Sequence, residues 1–221
     1  MSKKRFRRVL RFYKTQVIII VFFVLIMFGA VLLNLPIASR DGQSIGFLDA
    51  LFTATSATCV TGLVVVDTYQ HWTLFGQVVI ISLIQIGGLG FMTMATLFSL
   101  LLRRTISLNE RLLISESLNY DNMNGIVRLV KHIIIGTAGI EFLGMVLLSF
   151  RFIPEYGMKN GIYKSLFHSV SAFCNAGFDI MGQTTPFSNL TKYVFDPLVV
   201  FTICGLIIVG GIGFFVWEDI Y

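Results

Sequence analysis

Charged side chains are scarce in this sequence. Only 13% of its 221 residues are Asp, Glu, Lys or Arg, whereas 55% are hydrophobic and 21 are phenylalanine. The mean hydropathy is +0.80. So little charge excludes an ordinary water-soluble domain, and the composition is typical of a membrane protein embedded in a lipid bilayer.

Cysteine is also rare. The three cysteines, Cys59, Cys174 and Cys204, have a spacing that matches neither a zinc site nor a disulfide framework. We therefore expect three small buried thiols, no transition-metal site and no covalently bound cofactor.

Four long runs nearly free of charge are candidate membrane spans. Residues 15–39, 68–102 and 197–217 contain no Asp, Glu, Lys or Arg, and residues 132–150 are interrupted only by Glu141. A helix needs about 20 apolar residues to cross a hydrocarbon core. The sequence therefore predicts four transmembrane helices.

The basic residues lie where a membrane protein keeps them inside the cell. Seven precede residue 15 and five more fall within 103–131. The positive-inside rule then predicts a multi-pass plasma-membrane protein with a cytoplasmic N-terminus. This distribution explains the net charge of +5 without a nucleic-acid partner. The first apolar run is too long for a signal peptide and lacks a cleavage site, so we interpret it as a retained anchor.

Two shorter apolar runs, 50–66 and 165–178, are rich in Ser, Thr, Ala and Cys. Segments of that length are more typical of re-entrant elements than of membrane crossings. We predict that each forms a short helix followed by an extended strip. The first helix covers 47–58, with Asp49 in its first turn. The first strip is residues 59–63 and the second strip is residues 174–178.

The two runs belong to an internal repeat. "LFTATSATCVTGL" (51–63) matches "LFHSVSAFCNAGF" (166–178), and "IGGLGF" (86–91) matches "VGGIGF" (209–214). We predict an all-α membrane protein with two parallel, potassium-channel-like helix–pore loop–helix repeats. The paired glycines of the second motif are expected to allow close helix packing.

The predicted repeats divide the chain into five segments. The first unit is residues 15–102 and the second unit is residues 132–217. The remaining segments are predicted to be cytoplasmic: a basic N-terminus at 1–14, an amphipathic linker at 103–131 that contains the capping box "SLNE", and a short end at 218–221.

The strips are the candidate ion-binding site. Non-helical backbone at membrane depth is tolerated where it is buried in protein or lines a wet cavity. Carbonyl oxygens can replace the water shell of K⁺, and glycine suits a positive φ. We predict K⁺ coordination by the strip backbone; the alternative is that the two glycines only cap the short helices. The predicted ion-binding residues are Val60, Thr61, Gly62, Asn175, Ala176 and Gly177.

Glu141 is the one acid inside a candidate span. An intramembrane carboxyl group is by default a functional hypothesis. The alternative is a structural carboxylate that is hydrogen-bonded to a hydroxyl or amide on a neighbouring helix. From other classes of protein, the less favoured alternatives are a membrane-embedded thiol hydrolase that pairs Cys174 with His168 and a structural membrane scaffold. The hydrolase has little support because neither an oxyanion-binding group nor an orienting acid accompanies the pair.

The motifs "FTATSATCVTGL", "IGGLGF" and "SVSAFCNAGF" closely resemble the Trk/Ktr/HKT superfamily of potassium transporters, and best the membrane subunit of the Ktr system. The resemblance implies K⁺ uptake, frequently aided by Na⁺, and no enzymatic activity. It places Gly62 and Gly177 at the filter glycines. It also implies a homodimer of membrane subunits and a cytoplasmic nucleotide-binding regulatory ring.

The number of repeats departs from that family. Its members carry four repeats around one pore, whereas this sequence holds two, so we expect an N-terminal half. A tandem-pore potassium channel, in which two copies complete one pore, is the alternative. Neither strip reads Thr-Val-Gly-Tyr-Gly, which disfavours that alternative.

Overall fold

The computed structural model describes residues 3–90, 126–183 and 185–212, and this part of the chain is helical. The only extended pairing within these ranges is an isolated bridge between Ser39 and Trp72. The all-α prediction is therefore confirmed for the described residues. The helices are α1 (Lys3–Leu33), α2 (Phe47–Thr58), α3 (Thr68–His71), α4 (Leu74–Leu89), α5 (Ile126–Tyr156), α6 (Met158–Phe173) and α7 (Pro197–Ile212), with 3₁₀ turns at Pro36–Ala38 and Thr191–Tyr193.

One helical stretch, Val130–Tyr156 in α5, is long and apolar enough by length and composition to cross a membrane. The shorter apolar helices Ile18–Leu33, Leu74–Leu89 and Pro197–Ile212 fall within the other three predicted spans. The predicted continuations 91–102 and 213–217 lie outside the described residues. So do most of the predicted linker, at 103–125, and the end at 218–221.

The run 68–102 is not one helix from its start. Asp67 caps the short helix α3, and the chain is then extended at Trp72 and Thr73 before α4 begins at Leu74. The Thr73 hydroxyl accepts a hydrogen bond from the Gly76 amide and so caps α4. Because this run contains no charged residue, its composition did not reveal the helix boundary at Trp72 and Thr73, which is set by side-chain capping.

The short helices begin after glycine and end at equivalent positions. Helix α2 follows Gly46 and covers the predicted residues 47–58, and α6 follows Gly157 and ends at Phe173. The two ends are 115 residues apart, which is the offset of the sequence repeat. Helix α6 has 16 residues against 12 in α2, because it begins closer to the preceding long helix.

The helices pack as two similar groups of three. Helices α1, α2 and α4 contact one another, as do α5, α6 and α7, and α4 contacts α6 between the groups. The largest core cluster draws on both groups: Ala54, Trp72 and Ile84 come from the first, and Phe167 and Ile180 from the second. Because the groups share a core, they hold the two strips side by side.

Two repeated glycines let each short helix end directly on a long helix. A Cβ at Gly87 would overlap the Thr58 carbonyl, and a Cβ at Gly210 would overlap the Phe173 carbonyl. The expected packing role is therefore confirmed for Gly87 and Gly210. A third glycine, Gly90, has a φ of +80° and follows the last residue of α4.

Candidate ion-binding site

The two strips repeat an unusual backbone conformation. The φ angles are +57° at Val60 and +74° at Gly62, and +58° at Asn175 and +70° at Gly177. The glycines thus have the positive φ that the ion-binding hypothesis requires. The left-handed conformation at Val60 and Asn175 was not anticipated, and for a β-branched residue such as Val60 it is a genuine outlier.

Hydrogen bonds explain these left-handed residues. The Val60 and Thr61 amides donate to the carbonyls of Ala57 and Ser56 at 3.3 and 2.9 Å. The Asn175 and Ala176 amides make the equivalent bonds in the second unit, at 3.0 and 2.8 Å. This is the Schellman pattern that closes a helix C-terminus.

The Schellman pattern tests the alternative that Gly62 and Gly177 only cap the short helices. The residue that caps each helix in the left-handed conformation is Val60 or Asn175, and the glycine comes two positions later. The interpretation of Gly62 and Gly177 as helix caps is therefore wrong. Their positive φ belongs to the strip.

The strips meet through their backbones. A Cβ on Gly62 would lie 2.5 Å from the Ala176 carbonyl oxygen and 3.4 Å from the Gly177 Cα. A Cβ on Gly177 would find only the Gly62 Cα, at 3.8 Å. The first glycine is therefore required for the approach of the two strips, whereas the second faces more open space.

A cavity of about 400 Å³ lies beside the strips. Its lining includes Gly62, Asn175 and Gly177, and also Asp179 just beyond the second strip. The C-terminal end of a helix carries partial negative charge, and both α2 and α6 end where a strip begins. Backbone carbonyls, helix ends and a carboxyl group together make this region suited to a cation.

The structure places Glu141 away from the strip glycines, on α5. One carboxylate oxygen accepts a hydrogen bond from the Gln85 amide on α4 at 3.2 Å, as the structural alternative required. The other oxygen is buried and has no hydrogen-bond partner among the described residues. Gln85 also accepts a long contact from the Cys174 thiol at 3.7 Å. Glu141 is thus linked through Gln85 to the base of the second strip.

His168 and Cys174 do not form a catalytic pair. The His168 Nδ1 donates to the Lys164 carbonyl at 2.7 Å, and its ring packs against Phe152 and Phe167. Its Nε2 has no hydrogen-bond partner in the described part of the chain, so it does not bond the Cys174 thiol. The thiol hydrolase hypothesis therefore lacks its nucleophile–base contact.

The expectation of three buried thiols is wrong. Cys59 and Cys204 are exposed and Cys174 is half-buried. Cys59 lies at the end of α2, where the chain leaves the helix. Cys204 lies on a face of α7 that the described helices do not cover.

Asp67 and Asp196, in the loops before α3 and α7, bind backbone amides. One Asp67 oxygen accepts bonds from Tyr69 and Gln70, and the other accepts from the Phe187 amide of the second unit at 2.7 Å. Asp196 accepts from the first amides of α7 and pairs with Arg151 at 2.7 Å. These carboxyl groups hold the loops that surround the strips.

Comparison with known proteins gives a consistent result. Residues 3–221 match the model of a family described as TrkH, cation transport protein. The chain is 46% identical to the potassium/sodium uptake protein NtpJ of Enterococcus hirae, over 99% of this chain and 47% of that protein. It is 47% identical to the Ktr system potassium uptake protein B of Bacillus subtilis, over 100% of this chain and 48% of that protein. The chain spans about half the length of these curated relatives.

Proposed function

The chain belongs to the TrkH family of cation transport proteins, and from this premise we propose that its two strips are half of a carbonyl-lined filter for potassium uptake. In this proposal each group of three helices is a helix–pore loop–helix repeat, in which α2 and α6 are re-entrant pore helices. The backbone of Val60, Thr61 and Gly62 coordinates K⁺ together with that of Asn175, Ala176 and Gly177.

One observation carries the proposal. Two strips 115 residues apart have the same pair of left-handed residues and lie against each other without intervening side chains. Alternating backbone conformations turn neighbouring carbonyl groups toward one side, which is how a row of peptide oxygens can face an ion. Two strips cannot surround an ion, so the other half of the filter comes from further chain or from a second copy.

The relatives suggest the ions and the setting. One relative is named for potassium and sodium uptake and another for the Ktr system. We infer that K⁺ is the transported ion and that Na⁺ assists or accompanies it. We infer also that the protein lies in the plasma membrane with its N-terminus inside, as a homodimer with a cytoplasmic nucleotide-binding regulatory subunit.

Potassium uptake and the filter can be tested together. The native protein should restore growth of a potassium-uptake-deficient cell on low K⁺, and Gly62→Ser should abolish that growth. The added side chain would enter the space of the Ala176 carbonyl and would require an unfavourable positive φ. Gly139→Ser is the matched control, because a Cβ on Gly139 meets nothing within 4 Å among the described residues. Normal growth with Gly62→Ser at normal expression would contradict the filter assignment.

Glu141 has a separate test. We propose that its buried carboxyl group affects ion flux indirectly, because its contact with Gln85, and that of Gln85 with Cys174, help to position the second strip. Glu141→Gln keeps the shape and an acceptor but removes the acid, and should lower K⁺ flux per molecule. Unchanged flux with a lower yield of protein would show that the carboxyl group is only structural.

A further inference from the structure

Lys164 is a buried cation next to the proposed filter. It lies on α6 and its side chain is 2% exposed. Removing an ammonium group from water is costly unless hydrogen bonds or other attractive contacts replace the lost hydration. The contacts of Lys164 therefore show what it holds in place.

Lys164 binds the segment that follows the second strip. Its Nζ donates to the Ile180 carbonyl at 2.6 Å and lies 3.8 Å from the Met181 sulfur. Its Nζ also lies 4.5 Å from the ring centroid of Tyr69 and 4.6 Å from that of Tyr156. Both distances are typical of cation–π contacts. One ammonium thus joins α6, the exit of the second strip, α3 of the first unit and the end of α5.

A second hydrogen bond also holds the end of the second strip against α6. The Ser171 hydroxyl on α6 donates to the Phe178 carbonyl at 2.6 Å. The carbonyls of residues 178 and 180 are therefore bonded to α6 and are not free to face an ion. This ends the row of free carbonyls at Gly177.

The first unit is built differently. The repeat offset of 115 places Asp49 where the second unit has Lys164, and Val65 where it has Ile180. Val65 is 41% exposed, whereas Ile180 is fully buried. The lysine anchor is thus a feature of the second strip.

We propose that Lys164 is a positioning residue that fixes the outer end of the second strip and thereby sets the preference for K⁺ over the smaller Na⁺. The inference rests on the proposed filter function. A carbonyl row that can relax adapts to a smaller ion, whereas an anchored row keeps the spacing of its oxygens. Lys164 itself does not contact the ion.

Ion competition tests this role in the native protein. Rb⁺ uptake, as a probe for K⁺, is measured with increasing Na⁺, and the ratio of apparent affinities is compared among variants. Lys164→Gln should lower discrimination by about tenfold, since it removes a charge-assisted hydrogen bond. Lys164→Arg should retain more of it, and Lys159→Gln, which changes an exposed lysine of the same helix, should behave as wild type.

A second pair of variants keeps the test decisive if Lys164→Gln does not fold. Tyr69→Phe retains the aromatic face over the ammonium and should keep discrimination, whereas Tyr69→Leu should reduce it. A merely structural role would lower the yield and leave the ratio unchanged. An unchanged ratio in Lys164→Gln or Tyr69→Leu would overturn the proposal. Failure of the wild-type protein to take up Rb⁺ would instead refute the proposed function.

Discussion

The first and second units share the backbone of the strip but differ in how the strip and the outer loops are held. Both have the same Schellman closure and a glycine with positive φ at the fourth strip residue. Around them, the first unit has an exposed Leu63, whereas the second has a buried Phe178 bonded through its carbonyl to Ser171. The repeated element is therefore the conformation of the peptide chain, and its support can vary.

The connections between the long helices show the same contrast. In the first unit, backbone atoms and single side chains make the connection: Thr73 donates to the Ile37 carbonyl at 2.7 Å, Arg40 donates to the Trp72 carbonyl at 3.2 Å, and Ser39 pairs with Trp72. In the second unit, Arg151 on α5 pairs with Asp196 before α7, and Glu155 pairs with Lys192. The connection thus depends on hydrogen bonds in the first unit and on additional ion pairs in the second.

The largest expected effect concerns a feature that both units share. Gly87→Ala and Gly210→Ala would each push a Cβ into the last carbonyl of a short helix. Each should destabilise the protein by about 3 kcal/mol and abolish uptake, because backbone atoms cannot move aside cheaply. Thermal unfolding in detergent measures the first effect. Gly205→Ala on α7 is the control, since its Cβ meets nothing within 4 Å in the part of the chain that the structure describes. A normal melting temperature for either glycine variant would break the equivalence of the units.

The second prediction compares two capping carboxylates. Asp67→Ala removes the carboxylate that accepts hydrogen bonds from three backbone amides, one of which belongs to the other unit, and should cost about 2 kcal/mol. Asp196→Ala removes a helix cap and a partly exposed ion pair and should cost about 1 kcal/mol. Added salt should diminish only the second loss. Equal losses with equal salt dependence would show that Asp67 does not join the units.

A reciprocal exchange tests the left-handed residues. Asn175→Val places a β-branched side chain at a φ of +58° and should destabilise the protein by about 1–2 kcal/mol. Val60→Asn relieves the same strain but loses apolar contacts, so its effect should stay within about 1 kcal/mol. Melting temperatures of the two variants, measured side by side, give the comparison. A larger loss for Val60→Asn than for Asn175→Val would mean that packing outweighs backbone strain here.

The smallest expected effect depends on pH. Asp179 lines the cavity, and the repeat places Val64 at the equivalent position of the first unit. Burial, with the Asp67 carboxylate adding to it, raises the pKa of Asp179. The group therefore takes up a proton at a higher pH than an ordinary aspartate and loses its negative charge as the external pH falls. In the proposed orientation, uptake should then fall by about twofold as the external pH is lowered through the titration of Asp179, because fewer cations gather at the mouth. Asp179→Asn should have low uptake at both pH values; an unaltered pH profile in this variant would exclude Asp179 as the cause.

Local patterns in the sequence predicted the repeated parts well. The short helix at 47–58, the positive φ of Gly62 and Gly177, and the packing role of Gly87 all follow from repeat alignment and glycine chemistry. The assignment of the strips as an ion site remains a prediction. The left-handed Asn175 could also have been found, since Asn directly after a helix end is a known cap residue. Val60 gave no such signal.

Contacts between distant residues could not be predicted. Glu141 finds Gln85 across 56 positions, and Asp67 finds Phe187 across 120. Lys164 reads as a surface lysine near a helix start, and the Ile180 carbonyl together with the rings of Tyr69 and Tyr156 makes its burial possible. Such pairings depend on how the helix groups dock, and periodicity carries no information about docking.

The bond from Asp67 to the Phe187 amide has a consequence for biosynthesis. The ribosome makes Asp67 first and the Phe187 amide 120 residues later. At about 5–20 residues per second, the carboxylate waits about 6–24 s for its partner. During that interval the Asp67 oxygen that will bind the Phe187 amide must be hydrated or must accept a hydrogen bond from another donor. The rate of translation thus limits when this loop contact can form, and the two units can be joined through it only after the second unit has been synthesised.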